Sequence, residues 1–321
     1  MRRMELESRH LRVVCAVAEH NSLTRAAAAL GMSQPNLSRQ LQRLERALGG
    51  ALFVRHERGT SPTPLGSYVL ARARAVLPAM DELSLAASRH CGAVVETERL
   101  RCGATQGPLG TRLMPILREL NPAAEVTLLS EDSGALLCDL VVGGFIELAA
   151  LVESAGYEAP ARPELDRRVV ATAPMCLLLA ETHPLAARFE VDLAELTGED
   201  WVIKPPADNR IRENLTMACH ERGFEPVIRY EAGASEAREL IRDGYAIGLG
   251  LSTFRATPGI AVRPIVGDPF WEKNELVWHK TGPLADIGDK LVGRARVAYQ
   301  EAAEQSPARK ARRDREQRQR V

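Results

Sequence analysis

The sequence predicts a multidomain α+β chain: a small helical unit ending in a β-hairpin, one long connecting helix, and a two-lobed α/β unit. Three observations predict it. Apolar residues recur at helical spacing through the first fifty residues, a near-heptad stripe follows from Leu65, and from Arg99 onward strand-like and helix-like segments alternate. A length of 321 residues exceeds one ordinary core. Hydrophobic residues at 45% and charged residues at 26% exclude a mainly disordered chain.

The first helix is carried by Leu11, Val14, Cys15 and Ala18, at i, i+3, i+4 and i+7. Ser22 can cap a second, which buries Leu23, Ala26, Ala27 and Leu30 before Gly31 ends it. Ser33 caps a third, with Pro35 in its first turn and Leu37, Leu41, Leu44 and Leu48 inside, and Gly49-Gly50 stops it. A turn of only Gly31-Met32-Ser33 between two helices is the mark of a helix-turn-helix. Opposite the leucines stand Gln34, Asn36, Arg39, Gln42, Arg43 and Arg46, side chains able to meet base edges or phosphates. A solvated polar face on a three-helix unit is the plainer alternative. Ala51 to Arg55 then reads as a strand and His56 to Thr60 as a turn with Gly59 near its tip, a wing that places Arg55 and Arg58 beside a duplex.

Thr63 caps the long helix, with Pro64 at its first position. Along it Leu65, Val69, Ala73, Val76, Met80, Leu83 and Ala87 lie close to a heptad, a seam for a second chain, although Pro78 should bend it. Packing against the chain's own first helices is the competing use of that stripe. The expected divisions are residues 1–63 for the winged helix-turn-helix, 64–90 for the dimerisation helix, 91–97 for a hinge, and 98–305 for the two lobes. Lobe I takes about 98–168 and 269–305, and lobe II about 169–268. The basic tail, 306–321, has no apolar face and is expected to be disordered.

In the α/β half, strands are expected at Arg99 to Ala104, Glu125 to Leu129, Phe145 to Val152, Cys176 to Ala180, Trp201 to Lys204, Val227 to Glu231, Ile247 to Leu251 and Leu276 to His279. Helices fall at Leu109 to Leu120, Ala135 to Val142, Arg210 to Arg222, Ser235 to Asp243 and Leu284 to Ala303, an order that favours mainly parallel sheets. A chain that leaves one lobe, builds another and returns makes a cleft suited to a ligand. Thr105, Gln106, Ser130, Lys204 and Ser252 stand at strand ends or before helices there, as effector contacts or as ordinary caps. Glu131 and Asp132 near the same cleft leave the ligand's charge open.

The net charge is zero, but residues 1–90 carry +6, the last sixteen +5 and the middle −11, so a polyanion meets attraction at the first segment. Val13 to Ala18 is too short for a secretory signal, and no stretch reaches the roughly 18 apolar residues of a membrane span, which places the protein in the cytoplasm, with the nucleoid. Six cysteines without a C-x-x-C pair argue against a zinc knuckle or a disulfide scaffold. The absence of G-x-S-x-G, H-E-x-x-H and P-loop signatures argues against an enzyme, and no metal or cofactor is expected.

The run NSLTRAAAALGMSQPNLSRQLQRLERALGGALFVRHERGTSPTPLG resembles the DNA-binding signature of the LysR-type transcriptional regulators along its length. RLRCGATQGPLGTRLMPIL, GGFIELAAL, THPLA and GYAIGLGLSTF resemble that family's effector domain more weakly, with Glu147 where an Asp is usual. The resemblance implies that Gln34, Pro35, Asn36 and Arg39 read bases while Ser33, Ser38, Arg55 and Arg58 hold phosphates. It also implies an effector domain like periplasmic solute-binding proteins, with a small-molecule inducer between the lobes, and a homodimer or homotetramer on double-stranded DNA at a near-palindromic operator. A thiol-based redox-sensing regulator of the same architecture, using Cys176 and Cys219, is the alternative.

Overall fold

A computed structural model describes residues 6–56, 59–90, 99–154, 156, 158, 161–205 and 210–319. The chain divides into two compact units, Met1–Glu96 and Thr97–Val321. In the first, α1 (Ser8–His20), α2 (Leu23–Ala29) and α3 (Gln34–Leu48) precede the antiparallel hairpin of β1 (Phe53–His56) and β2 (Gly59–Pro62) and the long α4 (Pro64–His90). Val14, Val17, Ala26, Leu37, Leu44 and Leu52 are among the residues that close one core. Leu48, expected inside, is exposed, because α3 ends at Gly49 before its last turn meets the core.

The stripe along α4 is used differently from the expectation in its first half. Val69 joins the core of α1 to α3, while Ala73 and Leu77 close against Leu11, with Val76 at their margin. The cause is that α4 packs along α1, which leaves its early apolar positions no second chain to meet. Met80 is exposed, the helix runs on through Pro78, and the side chains of Leu83 and Ala87, like the 91–97 hinge, lie outside the described residues.

Lobe I of the second unit begins with β3 (Arg99–Ala104), α5 (Leu109–Leu120), β4 (Glu125–Ser130), α6 (Gly134–Val142), β5 (Leu148–Ser154) and β6 (Leu165–Pro174). Lobe II holds β7 (Cys176–Ala180), β8 (Asp200–Ile203), α7 (Ile211–His220), β9 (Val227–Glu231), α8 (Ala234–Arg242), β10 (Ile247–Gly250) and β11 (Ile260–Arg263). The chain returns to lobe I through β12 (Trp271–His279) and α9 (Gly288–Glu304), and ends in α10 (Pro307–Gln319). The sheet orders are β4-β3-β5-β12-β6 and β11-β7-β10-β8-β9.

Both sheets are mixed rather than mainly parallel: β12 lies antiparallel between β5 and β6, and β7 antiparallel between β10 and β11. Because all of β6 pairs within lobe I, the outward crossing falls at Pro174-Met175 instead of near residue 168, where the Met175 N–H donates to the Phe270 carbonyl on the returning segment at 2.9 Å.

The tail is a further correction. Residues expected to be disordered form α10, held to lobe II by charge instead of an apolar stripe. Arg312 donates to Asp268 at 2.7 Å and to the Met175 carbonyl at 2.9 Å, Arg315 reaches Asp268 at 3.3 Å, and Ala308 is buried with Ile260 and Val262. Ser306 donates to the Phe254 carbonyl at 2.7 Å and accepts from the Ala308 N–H at 3.2 Å, capping the helix.

Candidate functional site

The first unit presents α3 with its leucines inward and a polar side outward. Ser33, Pro35, Asn36, Arg39, Gln42 and Arg43 are exposed, and Gln34 and Ser38 are half-buried. Ser33 is the N-cap residue, but its hydroxyl makes no cap bond to the helix. Gln34 donates to the Ser38 hydroxyl at 3.1 Å, and Arg39 and Arg46 each fold back onto a carbonyl one turn earlier, of Pro35 at 3.3 Å and Gln42 at 3.2 Å. The acid on this helix, Glu45, accepts the Leu52 N–H at 2.9 Å, so its carboxylate ties the helix to the wing instead of facing outward with the arginines.

The wing is anchored at both ends. Gly59 has φ +131° and approaches the Asn21 carbonyl so closely that a Cβ would stand 2.6 Å from its oxygen, and the Thr60 N–H donates to that same oxygen at 3.1 Å. Thr63 donates to the Ala51 carbonyl at 2.7 Å and accepts from the Gly66 N–H at 3.0 Å, and a Cβ on Gly66 would run into the Leu52 carbonyl. The Thr63-Pro64-Leu65-Gly66 run therefore fastens the hairpin to α4. Arg55 is exposed on β1, whereas Arg58 lies outside the described residues.

The second unit encloses a cavity of about 440 Å³ between its lobes. Gln106, Arg112 and Val152 line it from lobe I, and Lys204, Arg238 and Thr253 are among its lobe II residues. Of the five residues expected at the effector site, Gln106 and Lys204 are thus on its wall. The other three are not. Thr105 is buried and accepts the Val152 N–H at 2.7 Å, which fastens β3 to β5. Ser130 is exposed at the end of β4. Ser252 is buried with its hydroxyl 2.7 Å from both Glu272 Oε1 and Tyr299 Oη, beneath the lining residues Leu251 and Thr253.

Tyr299 and Asn274 also donate to Glu272 Oε1, at 2.9 and 3.4 Å, yet burial outweighs these bonds and pushes the Glu272 carboxyl above the usual carboxylate range. Arg112, Arg238 and Arg255 also line the cavity, which sequence reasoning did not anticipate; an arginine on an amphipathic helix or in a loop carries no local sign of which space it borders.

The structure does not bring together the two cysteines of the redox alternative, Cys176 and Cys219. Cys176 packs with Leu178, Val202 and Val262, while Cys219 packs with Leu177, Trp201 and Phe270 on the other side of the lobe II sheet. Burial pushes the Cys176 thiol up to about 12 and that of Cys219 up to about 11, so neither is a ready thiolate.

Comparisons with known proteins agree with this geometry. The profile described as "Bacterial regulatory helix-turn-helix protein, lysR family" matches residues 8–67, and that described as "LysR substrate binding domain" matches residues 95–287. The "Small neutral protease regulatory protein" of Streptomyces lividans is 36% identical over 307 residues, covering 95% of this chain and 86% of the relative. The "DNA-binding transcriptional dual regulator OxyR" of Escherichia coli K12 is 30% identical over 260 residues, covering 80% of each. Among solved structures, full-length CbnR with its target DNA superposes with TM-score 0.55 at 22% identity, covering 90% of this chain and 100% of that one, and full-length BenM with TM-score 0.52 at 22% identity, covering 92% and 97%. These two show the fold. No described helix is long and apolar enough to cross a membrane. By its two matched domains and its full-length relatives, the chain belongs to the LysR family of DNA-binding transcriptional regulators with an effector-binding domain.

Proposed function

We propose that the outward side of α3 enters the major groove, with Gln34, Pro35, Asn36 and Arg39 against base edges. Ser33, Gln42, Arg43, Arg55 and Arg58 follow the phosphates, and Ser38 acts by orienting Gln34. The observation that carries this reading is the composition of one surface: α3 turns its amides and arginines outward, while its acid, Glu45, is spent on the Leu52 N–H. Two chains present two such helices to successive major grooves about 34 Å apart, or a multiple of that, on a near-palindromic site. The self-association runs through the later part of α4, from Met80 on. The protein works in the cytoplasm on nucleoid DNA and catalyses no reaction.

The interlobe cavity is the effector site, with Gln106 and Lys204 among its contacts. Its volume falls in the range that suits a small metabolite. Filling it changes the balance of open and closed lobes, and through the oligomer the bending of the bound DNA. Genome-wide mapping of bound DNA tests the reading: discrete sites sharing an inverted repeat are expected for the wild type and not for Arg39→Ala. A diffuse map identical for the two proteins overturns it.

A further inference from the structure

The chain joins its lobes by more than the two strand crossings. α9 belongs to lobe I, where Leu291, Val292, Ala295 and Tyr299 share a core with Leu113 and Leu117 of α5. α10 follows after only Gln305 and Ser306, yet it docks on lobe II, with Ala308 buried among Cys176, Ile260 and Val262. The link between these helices is therefore a further tie between the lobes. It is fastened at Ser306, whose hydroxyl donates to the Phe254 carbonyl at 2.7 Å.

The other end of that tie falls on the hinge itself. The outward crossing at Pro174-Met175 and the returning segment from Asp268 to Trp271 run side by side, with Trp271 paired to Pro174 and the Met175 N–H on the Phe270 carbonyl. One guanidinium spans both. Arg312 donates to the carbonyls of Pro174 and Met175 at 3.3 and 2.9 Å and to Asp268 Oδ1 at 2.7 Å. Arg315 donates to the second oxygen of that carboxylate at 3.3 Å and stands 3.8 Å from Glu190 of lobe II. The backbone at Asp268 is left-handed, φ +47° directly after Gly267 at φ +75°, so the returning chain turns where Arg312 grips it.

Arg312 and Asp268 are only 11% and 20% exposed, so their pair is little screened, and parting them leaves each charge in a partly dry site. The planar fork of the arginine also fixes direction, because its donors must meet the carbonyls of one crossing and the carboxylate of the other together. A change in the angle between the lobes shifts the two crossings against each other and strains or breaks these bonds.

We propose that α10 is a strap across the hinge: it holds the lobes near the angle seen in the structure, and any swing of one lobe against the other works against Arg312 and Arg315. The bonds lie within the chain, so the strap does not depend on what fills the cavity.

The test is the interlobe distance in the full chain without ligand. Spin labels are carried on keto-bearing residues placed at Arg118 of lobe I and Tyr245 of lobe II, both exposed, which leaves the native cysteines untouched. Labelled chains are diluted with unlabelled ones so that only distances within a chain are read. Pulsed electron paramagnetic resonance gives one dominant distance for the wild type. Arg312→Gln raises the fraction at other distances roughly tenfold, the effect of losing a charge-assisted hydrogen bond on a two-state equilibrium. Asp268→Asn does the same; asparagine tolerates a left-handed backbone, so this variant keeps the turn and carries the test if Arg312→Gln fails to fold. Arg309→Gln and Arg313→Gln, exposed on the same helix, leave the distribution unchanged. A wild-type distribution in either of the first two variants once folded, or an equal broadening in the Arg309 and Arg313 variants, overturns the strap.

Discussion

Fifteen consecutive residues of α3 carry both the buried Leu37, Leu41 and Leu44 and the outward Asn36, Arg39, Gln42 and Arg43. The interlobe cavity instead takes Gln106 from the β3–α5 connection, Val152 from β5, Lys204 from the end of β8, Arg238 from α8 and Thr253 from beyond β10. The first surface exists as soon as one helix forms and its leucines find a core. The second exists only after two sheets and two crossings between lobes are in place. A side chain on α3 can therefore fail alone, whereas the cavity depends on contacts far from its own residues.

The largest expected effect breaks the first surface without touching the second. Leu44→Ala leaves a hole in the core of the first unit and should destabilise it by about 2–5 kcal/mol. Calorimetry should show the transition of that unit lowered, DNA binding lost, and the transition of the two-lobed unit in place. If both transitions move together, the units are not the independent bodies this contrast requires.

Next in size, Arg39→Ala removes a base contact and should weaken operator binding by about 1–3 kcal/mol with both melting transitions unchanged. Titration of labelled duplex, specific and unrelated, separates lost discrimination from a uniform loss, which would recast Arg39 as a phosphate contact.

The reverse experiment acts on the second unit. Arg312→Gln cuts the bonds of α10 to Asp268 and the Met175 carbonyl and should lower the stability of the two-lobed unit by about 1–2 kcal/mol. DNA affinity measured without effector should hold. A change in the first transition would contradict the separation.

The smallest effect is confined to pH. Burial raises the Glu272 carboxyl, so its neutral form suits the fold: its contribution is full below the unfolded carboxyl's range and drains as pH rises through the folded one. Glu272→Gln removes that drain, so the variant should gain on the wild type as pH climbs and then run parallel to it. A melting-temperature difference that is flat across that window would show that Glu272 stays ionised in the folded protein.

The same contrast explains what was legible in the sequence. The leucines of α3, the cap position at Ser33 and the glycine at the wing are local signals, and the structure places them as read, apart from Leu48 beyond the last covered turn. The strand ends at Thr105 and Ser252 were also located, but not the partners their hydroxyls meet, Val152 and Glu272, which are 47 and 20 residues away. In α10 the buried face is made of arginines whose acid, Asp268, lies 44 residues earlier than Arg312, so a reading by apolar periodicity finds no helix to fold. Likewise, the antiparallel insertion of β12 between β5 and β6 is a decision of tertiary packing, and no run of residues within β12 announces it.

In vitro selection from randomised duplexes, run side by side with the wild-type chain and Arg39→Ala, tests the central claim most directly. If α3 reads bases, the wild type returns an inverted repeat with half-sites about one helical turn apart, or a multiple, and the variant loses its preference at one position in each half while still retaining bound duplex. The same motif with the same information at every position from both proteins would contradict it.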